Sequence, residues 1–290
     1  MRLFFLILVF TSCTSSIDID IPEHQPKMVI NSLFKEGETI HISVTQSTGI
    51  ADNFAPPIEN THIQLFQDNT FVENLVFNGN EFESNLITQP HTEYTVIAEF
   101  TTAENCSARD IVPQKPVISN ASIQNVSIAD TEGFILNQKL KLTIDDPASS
   151  SDYYELLLIL KNQDLNGNFF YTPVYYYYTH NPIITNEGIL QYYPTSLVFS
   201  DTLFNGRQAV IDVYYNVDEE WINTGYTLSI YLRGISTNYY QYKKSHYKHV
   251  YNQEPDLWEG GETPTPMYSN ISNGYGIFAA FAETHIEIQN

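Results

Sequence analysis

Cysteine is scarce in this 290-residue chain, which has only Cys13 and Cys106. If Cys13 carries a lipid, Cys106 has no partner within the chain and the fold does not depend on a disulfide. No base or metal-binding cluster lies near Cys106 in the sequence, although Arg109 is close. We therefore expect Cys106 to be a small structural residue at the end of a strand and not a nucleophile.

Basic residues are also few. Lysine and arginine together number 13 against 34 aspartates and glutamates, which gives a formal net charge of −21. Nucleic acid needs a basic surface to neutralise its phosphates, so we predict no nucleic-acid partner. An anionic membrane surface offers this chain no electrostatic attraction either.

Local catalytic and metal-binding motifs are absent. The sequence has no Gly-Lys-Ser/Thr phosphate loop, no His-Glu-x-x-His, no Gly-x-Ser-x-Gly and no zinc spacing among its cysteines and histidines. We therefore predict no enzyme activity, no metal and no cofactor. Two alternatives stay open. The paired carboxylates of a glycoside hydrolase need only meet in space, and Asp145, Asp146 and Asp152 could hold Ca²⁺ at one end of a sandwich.

What the sequence does contain begins with a secretory signal. Arg2 provides a positive charge, Leu3–Phe10 is an unbroken apolar run, and two small residues precede Cys13. The run is much shorter than the roughly 20 residues that cross a bilayer as a helix. The first residues are therefore expected to direct export.

A cysteine placed directly after small residues resembles the lipobox of bacterial lipoproteins, in which the cysteine is acylated and becomes the new N-terminus. Phe10 stands where that pattern usually has leucine. We predict a lipoprotein signal peptide at residues 1–12, followed by a lipidated Cys13 and a tether at 13–26. The alternative is a plain signal peptide that is cleaved near Cys13.

Short strands are predicted along most of the chain. Aromatic residues make up 14% of the sequence, led by 21 tyrosines and 17 phenylalanines, which favours strands. Apolar residues alternate with polar ones, as where Ile40, Ile42 and Val44 share one face. The same alternation recurs at Tyr94–Phe100, Leu140–Ile144, Ala209–Tyr215 and Thr227–Leu232.

Two prolines, Pro113 and Pro116, bracket polar residues and mark the best boundary in the chain. We predict a mainly β fold with an N-terminal immunoglobulin-like β-sandwich at residues 27–113. A second β-rich domain follows at 117–290. It is expected to carry one short amphipathic helix at Asn238–Tyr251, with Asn238 as the N-cap.

Tyrosines are concentrated in the second domain, above all in the aromatic segment Phe169–Tyr178. If that segment is a strand, Tyr175 and Tyr177 point to one face and Tyr176 and Tyr178 to the other. Tyrosine combines an apolar face with a polar tip, which suits both sugars and protein interfaces. The predicted binding surface consists of Tyr171, Tyr175, Tyr177, Tyr192, Tyr193 and Trp221. The alternative is that these tyrosines fill the two faces of a sheet.

Several segments taken together carry a family resemblance. They are Cys13 with Ile17–Pro22, Pro26–Phe34, Asp146–Pro147 with Asp152–Leu156, Tyr231–Ser236 with Tyr239–Tyr242, and Tyr268–Phe278. They resemble the family called domain of unknown function 4249, over essentially the whole mature chain. The resemblance implies an uncharacterised outer-envelope lipoprotein of Gram-negative bacteria, often encoded near TonB-dependent outer-membrane receptors. It implies no catalytic residues.

The sequence and the resemblance lead to one expectation for function. We expect an outer-membrane lipoprotein, held by its lipid anchor, that acts as a non-catalytic binding or accessory module of a TonB-dependent transporter. Its folded part is expected at the cell surface, with the periplasmic side as the alternative. A glycan or a peptide is the expected ligand class. The alternatives are a secreted enzyme that hydrolyses glycans or peptides, and a structural or adhesive envelope protein.

Overall fold

The computed structural model describes residues 24–49, 58–100, 104–148, 151–163, 167–253 and 265–290. The predicted signal peptide, Cys13 and most of the tether at 13–26 lie outside the described residues. None of the helices in the described part of the chain is both long and apolar enough to cross a membrane.

Sixteen strands and three α-helices make up the described regular structure. The strands before the coil at residues 112–116 are β1 (Met28–Lys35), β2 (Thr39–Gln46), β3 (His62–Gln67), β4 (Thr70–Asn74), β5 (Val76–Phe77), β6 (Phe82–Ile87), β7 (Glu93–Glu99) and β8 (Cys106–Ile111). Those after it are β9 (Val117–Ala129), β10 (Ile135–Asp145), β11 (Tyr153–Gln163), β12 (Phe169–Pro173), β13 (Leu197–Ser200), β14 (Gln208–Tyr215), β15 (Thr227–Ile235) and β16 (Tyr275–Gln289). The helices are α1 (Pro182–Thr185), α2 (Glu219–Thr224) and α3 (Thr237–Gln253), and single 3₁₀ turns lie at Leu190–Tyr192 and Asp201–Leu203.

A nine-stranded sheet forms the centre of the molecule, in the order β12-β11-β15-β16-β1-β2-β6-β5 with β13 also paired to β11. A four-stranded sheet, β4-β3-β7-β8, covers one end of it. The core between them contains Ile40, Ile42 and Val44, which share a buried face as the alternation predicted. A three-stranded sheet, β14-β10-β9, covers the other end over a second core that includes Leu140 and Leu142. The predicted mainly β, sandwich-type fold is confirmed.

The last strand, β16, connects the two sandwiches. The first half of β16, Tyr275–Phe281, pairs in parallel with β1. The second half, Phe281–Gln289, pairs antiparallel with β15. Phe278 lies in the first core, while Ile286 packs against the second. A strand from the end of the chain therefore completes the sheet that the N-terminal strands begin, and the residues on both sides of the coil at 112–116 share one sheet.

Helix α3 covers the opposite face of the same sheet. Because side chains alternate along a strand, Ile277 and Ala279 of β16 point away from the two sandwich cores and pack with Tyr239 and Tyr247 of α3. The predicted helix is confirmed and begins one residue before Asn238.

The predicted N-cap at Asn238 is wrong, because the helix is capped two residues earlier. The hydroxyl of Ser236 accepts the backbone N–H of Tyr239 at 3.1 Å, which is the capping geometry expected of serine. The Asn238 amide instead donates to the carboxylate of Asp110 at 3.0 Å. Asp110 belongs to β8, so this contact connects the start of α3 to the N-terminal sandwich.

A buried ionic cluster fixes α3 on the sheet. The carboxylate of Glu155, on β11, is approached by Lys243 of α3 at 2.9 Å and by Arg233 of β15 at 3.0 Å. The hydroxyls of Ser196 and Tyr239 also donate to it. Burial alone would raise the pKa of Glu155, but the charges of Lys243 and Arg233 outweigh it and lower the pKa to about 2. Glu155 is therefore a buried and fully engaged carboxylate.

Candidate binding groove

A groove with a volume of ≈ 520 Å³ lies beside the turn that connects β9 to β10. We call it the aromatic groove. It is lined by Glu132, Phe134, Ile135, Tyr176, Tyr193 and Asn216. Leu136 lies buried at the groove, but Phe134 is 62% exposed and Ile135 is also more than half exposed. Exposed apolar surface of this kind marks contact sites on folded proteins.

Asp130 holds the turn in place. One oxygen of its carboxylate accepts the backbone N–H groups of Glu132 and Phe134, both at 2.9 Å. The other oxygen accepts the hydroxyl of Tyr176 at 2.5 Å. The hydrogen bond from Tyr176 keeps the pKa of the Asp130 carboxyl below its usual range. The turn that presents Phe134 and the ring of Tyr176 are thereby joined into one rigid unit.

Tyr193 also lines the groove, next to the ring of Tyr176. It follows the 3₁₀ turn at Leu190–Tyr192 and adopts a left-handed backbone conformation, with φ of +46°. For a residue with a side chain this costs about 1–2 kcal/mol. The ring is nevertheless 52% exposed, and its hydroxyl lies 3.4 Å from a carboxylate oxygen of Glu132. The negative charge of Glu132 raises the pKa of this phenol.

Four aromatic rings follow one another along this region. The ring centroid of Tyr176 is 6.5 Å from that of Phe134 and 6.4 Å from that of Tyr193. Tyr251, near the end of α3, continues the series at 6.3 Å from Tyr193 and also contacts Tyr192. The series of rings therefore combines the β9–β10 turn, the segment after β12, the 3₁₀ turn and α3, which are far apart in the sequence.

The groove offers two kinds of interaction. The ring faces can stack on an apolar surface of a ligand, and the exposed carboxylate of Glu132 and amide of Asn216 can hydrogen-bond to its polar groups. Among the described residues that line it, none is lysine or arginine. These are the properties of a binding surface for a ligand that is not negatively charged.

The six residues predicted as a binding surface do not form one surface. Tyr193 lines the groove. Tyr192 does not, but its ring contacts Tyr251, which in turn contacts Tyr193. Tyr171 and Tyr175 are 61% and 63% exposed but do not line the groove. Trp221, in α2, is partly buried against the core of the second sandwich.

Tyr177 was predicted to be a surface residue, and this is wrong. The aromatic strand ends at Pro173, after which the chain crosses from one sheet to the other. Val174 donates to Leu158 of β11, whereas Tyr178 pairs with Tyr214 of β14. Tyr177 lies between these two attachments and is only 5% exposed, because the segment passes between the sheets. Strand alternation therefore does not apply to Tyr175 and Tyr177.

Sequence reasoning missed most of the groove. Phe134 and Ile135 carried a usable signal, since two large apolar residues directly follow the polar turn Asp130–Gly133. Tyr251 had no such signal, because its place beside Tyr193 depends on how α3 packs on the sheet.

A group of three carboxylates lies elsewhere, formed by Asp146, Asp152 and Asp201, whose oxygens come within 4.8 Å of one another. Asp201 takes the place that the sequence suggested for Asp145, which instead accepts from Gln208. Asp146 accepts hydrogen bonds from Tyr154 and the backbone of Gly206, and Asp201 accepts from the backbone of Asp152. These donors hold Asp146 and Asp201 in place, although burial and the negative charge of Asp146 still raise the pKa of the Asp201 carboxyl.

This chain is similar to one known protein family over most of its length. The family model described as "Domain of unknown function (DUF4249)" matches residues 14–287. None of the curated proteins matches this chain.

Among solved structures, one similar chain is described as "Enterococcal surface protein, partial N-terminal region". It has 9% sequence identity, and the match covers 75% of this chain and 93% of the other, with a TM-score of 0.19. A TM-score this low does not indicate a shared fold.

Proposed function

This chain belongs to the family described as domain of unknown function DUF4249, and we propose that it is a lipid-anchored outer-membrane protein that binds a ligand without transforming it chemically. In this proposal it works as an accessory module of a TonB-dependent outer-membrane transporter.

The observation that carries the proposal is the aromatic groove. It presents ring faces and an exposed carboxylate to solvent, while the buried carboxylates of Asp130 and Glu155 are held by donors of the protein itself. A catalytic acid or base has to be within reach of a substrate proton, and these two are committed to structural contacts. The arrangement suits recognition of a partner or ligand better than its chemical conversion.

The N-terminal segment supports an anchored position. Residues 13–26 would separate a lipidated Cys13 from the start of β1 by at most about 50 Å when fully extended. The net charge of −21 would oppose close contact of the folded part with anionic head groups. The protein would then be tethered to the membrane yet free to meet a transporter.

Co-purification tests the accessory role. The full-length tagged protein, expressed in its native host, is extracted from membranes with a mild detergent and captured, and the captured proteins are identified by mass spectrometry. We expect a TonB-dependent receptor to be enriched with the wild type and lost with Cys13→Ala, which would not reach the membrane. If the protein emerges alone and hydrolyses members of a polysaccharide panel, the accessory role fails.

Metabolic labelling with a fatty-acid probe tests the anchor separately. We expect the wild type and Cys106→Ala to be labelled and membrane-bound, because Cys106 is buried in the fold. Cys13→Ala should lose the label and the membrane association. A Cys13→Ala protein that still carries the label would refute the lipoprotein assignment.

A further inference from the structure

We infer that the aromatic groove binds an uncharged oligosaccharide, with Tyr176 and Tyr193 stacking on its sugar rings and Glu132 and Asn216 accepting and donating hydrogen bonds at its hydroxyls. The inference rests on the proposed binding function and names the ligand class.

The shape and lining of the groove fit sugar rings. Its volume of ≈ 520 Å³ lies within the range of about 300–1,000 Å³ that is typical of ligand sites. A pyranose has an apolar C–H face, which stacks on aromatic rings, and hydroxyls around its edge, which need polar partners. Here the rings of Tyr176 and Tyr193 are already fixed, one by Asp130 and one by its own backbone and Glu132. Little ordering is needed on binding, which favours affinity.

Charge excludes an anionic ligand. No lysine or arginine is found among the groove's described lining residues, which include the exposed Glu132. The carboxylate of Asp130 is buried and accepts a hydrogen bond from the lining residue Tyr176. The chain as a whole carries −21. A phosphorylated or uronic-acid-rich ligand would meet only repulsion there.

Charge also argues against a cationic ligand. Asp130 already accepts three hydrogen bonds, from Tyr176 and from the backbones of Glu132 and Phe134. Only the carboxylate of Glu132 is then open to a cation, and it is exposed to solvent. A single exposed ion pair contributes little to affinity. A neutral ligand, whose hydroxyls can use one carboxylate and one amide, therefore fits best.

An apolar peptide fits less well than a sugar. Apolar anchor side chains bind in pockets that exclude water from all sides, whereas Phe134, Ile135 and Tyr193 are each more than half exposed. An open surface of rings with polar groups at its edge suits a ligand that remains partly hydrated.

The test measures binding to a defined panel with isothermal titration calorimetry on the full chain in detergent. The neutral probes are the hexasaccharides of maltose, cellulose, xylan, mannan and chitin. Polygalacturonate and heparin are the anionic probes, and an oligolysine peptide and an alanine-leucine peptide represent the cationic and apolar ligands. Three variants are compared with the wild type: Tyr193→Ala, Tyr193→Phe and Tyr171→Ala. Tyr171 is a matched control, because it is an exposed tyrosine outside the groove.

We expect at least one neutral hexasaccharide to bind, with an affinity that falls about ten-fold or more in Tyr193→Ala and stays within about three-fold of wild type in Tyr193→Phe and Tyr171→Ala. Circular dichroism shows whether each variant is folded. Binding of no neutral probe, binding of only charged or peptide probes, or equal loss in Tyr193→Ala and Tyr171→Ala would overturn the inference. Co-purification with a transporter does not depend on sugar binding. The accessory role can therefore fail while sugar binding holds, and sugar binding can fail while the accessory role holds.

Discussion

The ammonium group of Lys243 on α3 lies 2.9 Å from a carboxylate oxygen of the buried Glu155 on β11. Arg233 approaches the other oxygen of Glu155 at 3.0 Å and also binds Glu283 of β16 at 2.8 Å. The helix and three neighbouring strands are thus joined through Glu155 and Arg233. Two of these residues, Glu155 and Arg233, lie in segments by which the sequence resembled its family, so those two segments meet beneath the helix.

Replacing Lys243 with methionine should lower the free energy of unfolding by about 3 kcal/mol, because it leaves Glu155 with only one of its two cationic partners. Urea denaturation followed by circular dichroism measures the change. Lys161→Met is the control, since Lys161 pairs with Glu287 at 3.8 Å on the surface and should lose less than about 1 kcal/mol. Equal losses in the two variants would show that the buried cluster contributes no more than a surface pair.

The structure requires glycine at position 276, because of both its backbone conformation and the closeness of a neighbouring strand. Its φ is +105°, and a Cβ built on it would lie 2.1 Å from the carbonyl oxygen of Ile30 on β1. Gly276→Ala should therefore combine backbone strain of about 1–2 kcal/mol with steric displacement of the paired strand, which costs about 1–3 kcal/mol. Thermal unfolding measures the loss.

The control for this prediction is Gly37→Ala. Gly37 also has a positive φ, of +79°, but nothing lies within 4 Å of a Cβ placed there. It should lose only the strain contribution. If both variants melt at the same temperature, the close approach of β16 to β1 is not as the structure has it.

The buried carboxyl of Asp110 should make the stability of the folded protein depend on pH. Burial outweighs the hydrogen bonds from Ser236, Ala280 and Asn238 and raises the pKa of its carboxyl to about 6. The folded state therefore holds this proton more tightly than the unfolded state, whose value is near 3.8. The stability from this group is complete below about pH 4 and is lost as the pH rises through 6, by about 3 kcal/mol in all.

The Asp110→Asn variant isolates that effect. Between pH 4 and pH 7 its free energy of unfolding should rise relative to wild type by about 3 kcal/mol, because only the wild type has a carboxyl to ionise there. Glu155 does not interfere, since its pKa is lowered to about 2 and its contribution changes only below about pH 4.5. Denaturation curves at several pH values measure the difference, with Asp145→Asn, on an exposed carboxylate, as control. A constant difference across the range would contradict the prediction.

The thiol of Cys106 should be unreactive in the folded protein. The residue begins β8 as a buried side chain, in agreement with the expected strand-end position, and burial raises the pKa of the thiol. In the Cys13→Ala variant Cys106 is the only cysteine. We expect no reaction with a disulfide reagent under native conditions and one thiol per chain in denaturant. Rapid reaction of the folded protein would contradict the burial of Cys106.

The sequence by itself determined the fold class and the face of many strands. Alternation placed Ile40, Ile42 and Val44 in one core and Leu140 and Leu142 in another, because side-chain direction in a strand follows from residue number alone. Helix α3 could also be predicted from the sequence, because the spacing of apolar residues along a helix is a local pattern.

Only the tertiary structure decided how these elements meet. The local sequence of β16 does not indicate that half of the strand pairs with β1 and half with β15. The local sequence of Phe169–Tyr178 does not indicate that the chain changes sheets after Pro173 and buries Tyr177. The aromatic groove likewise exists because Phe134, Tyr176 and Tyr193 are brought together by separate elements. Pairing and packing between distant segments depend on the whole set of competing contacts, whereas periodicity depends only on neighbours along the chain.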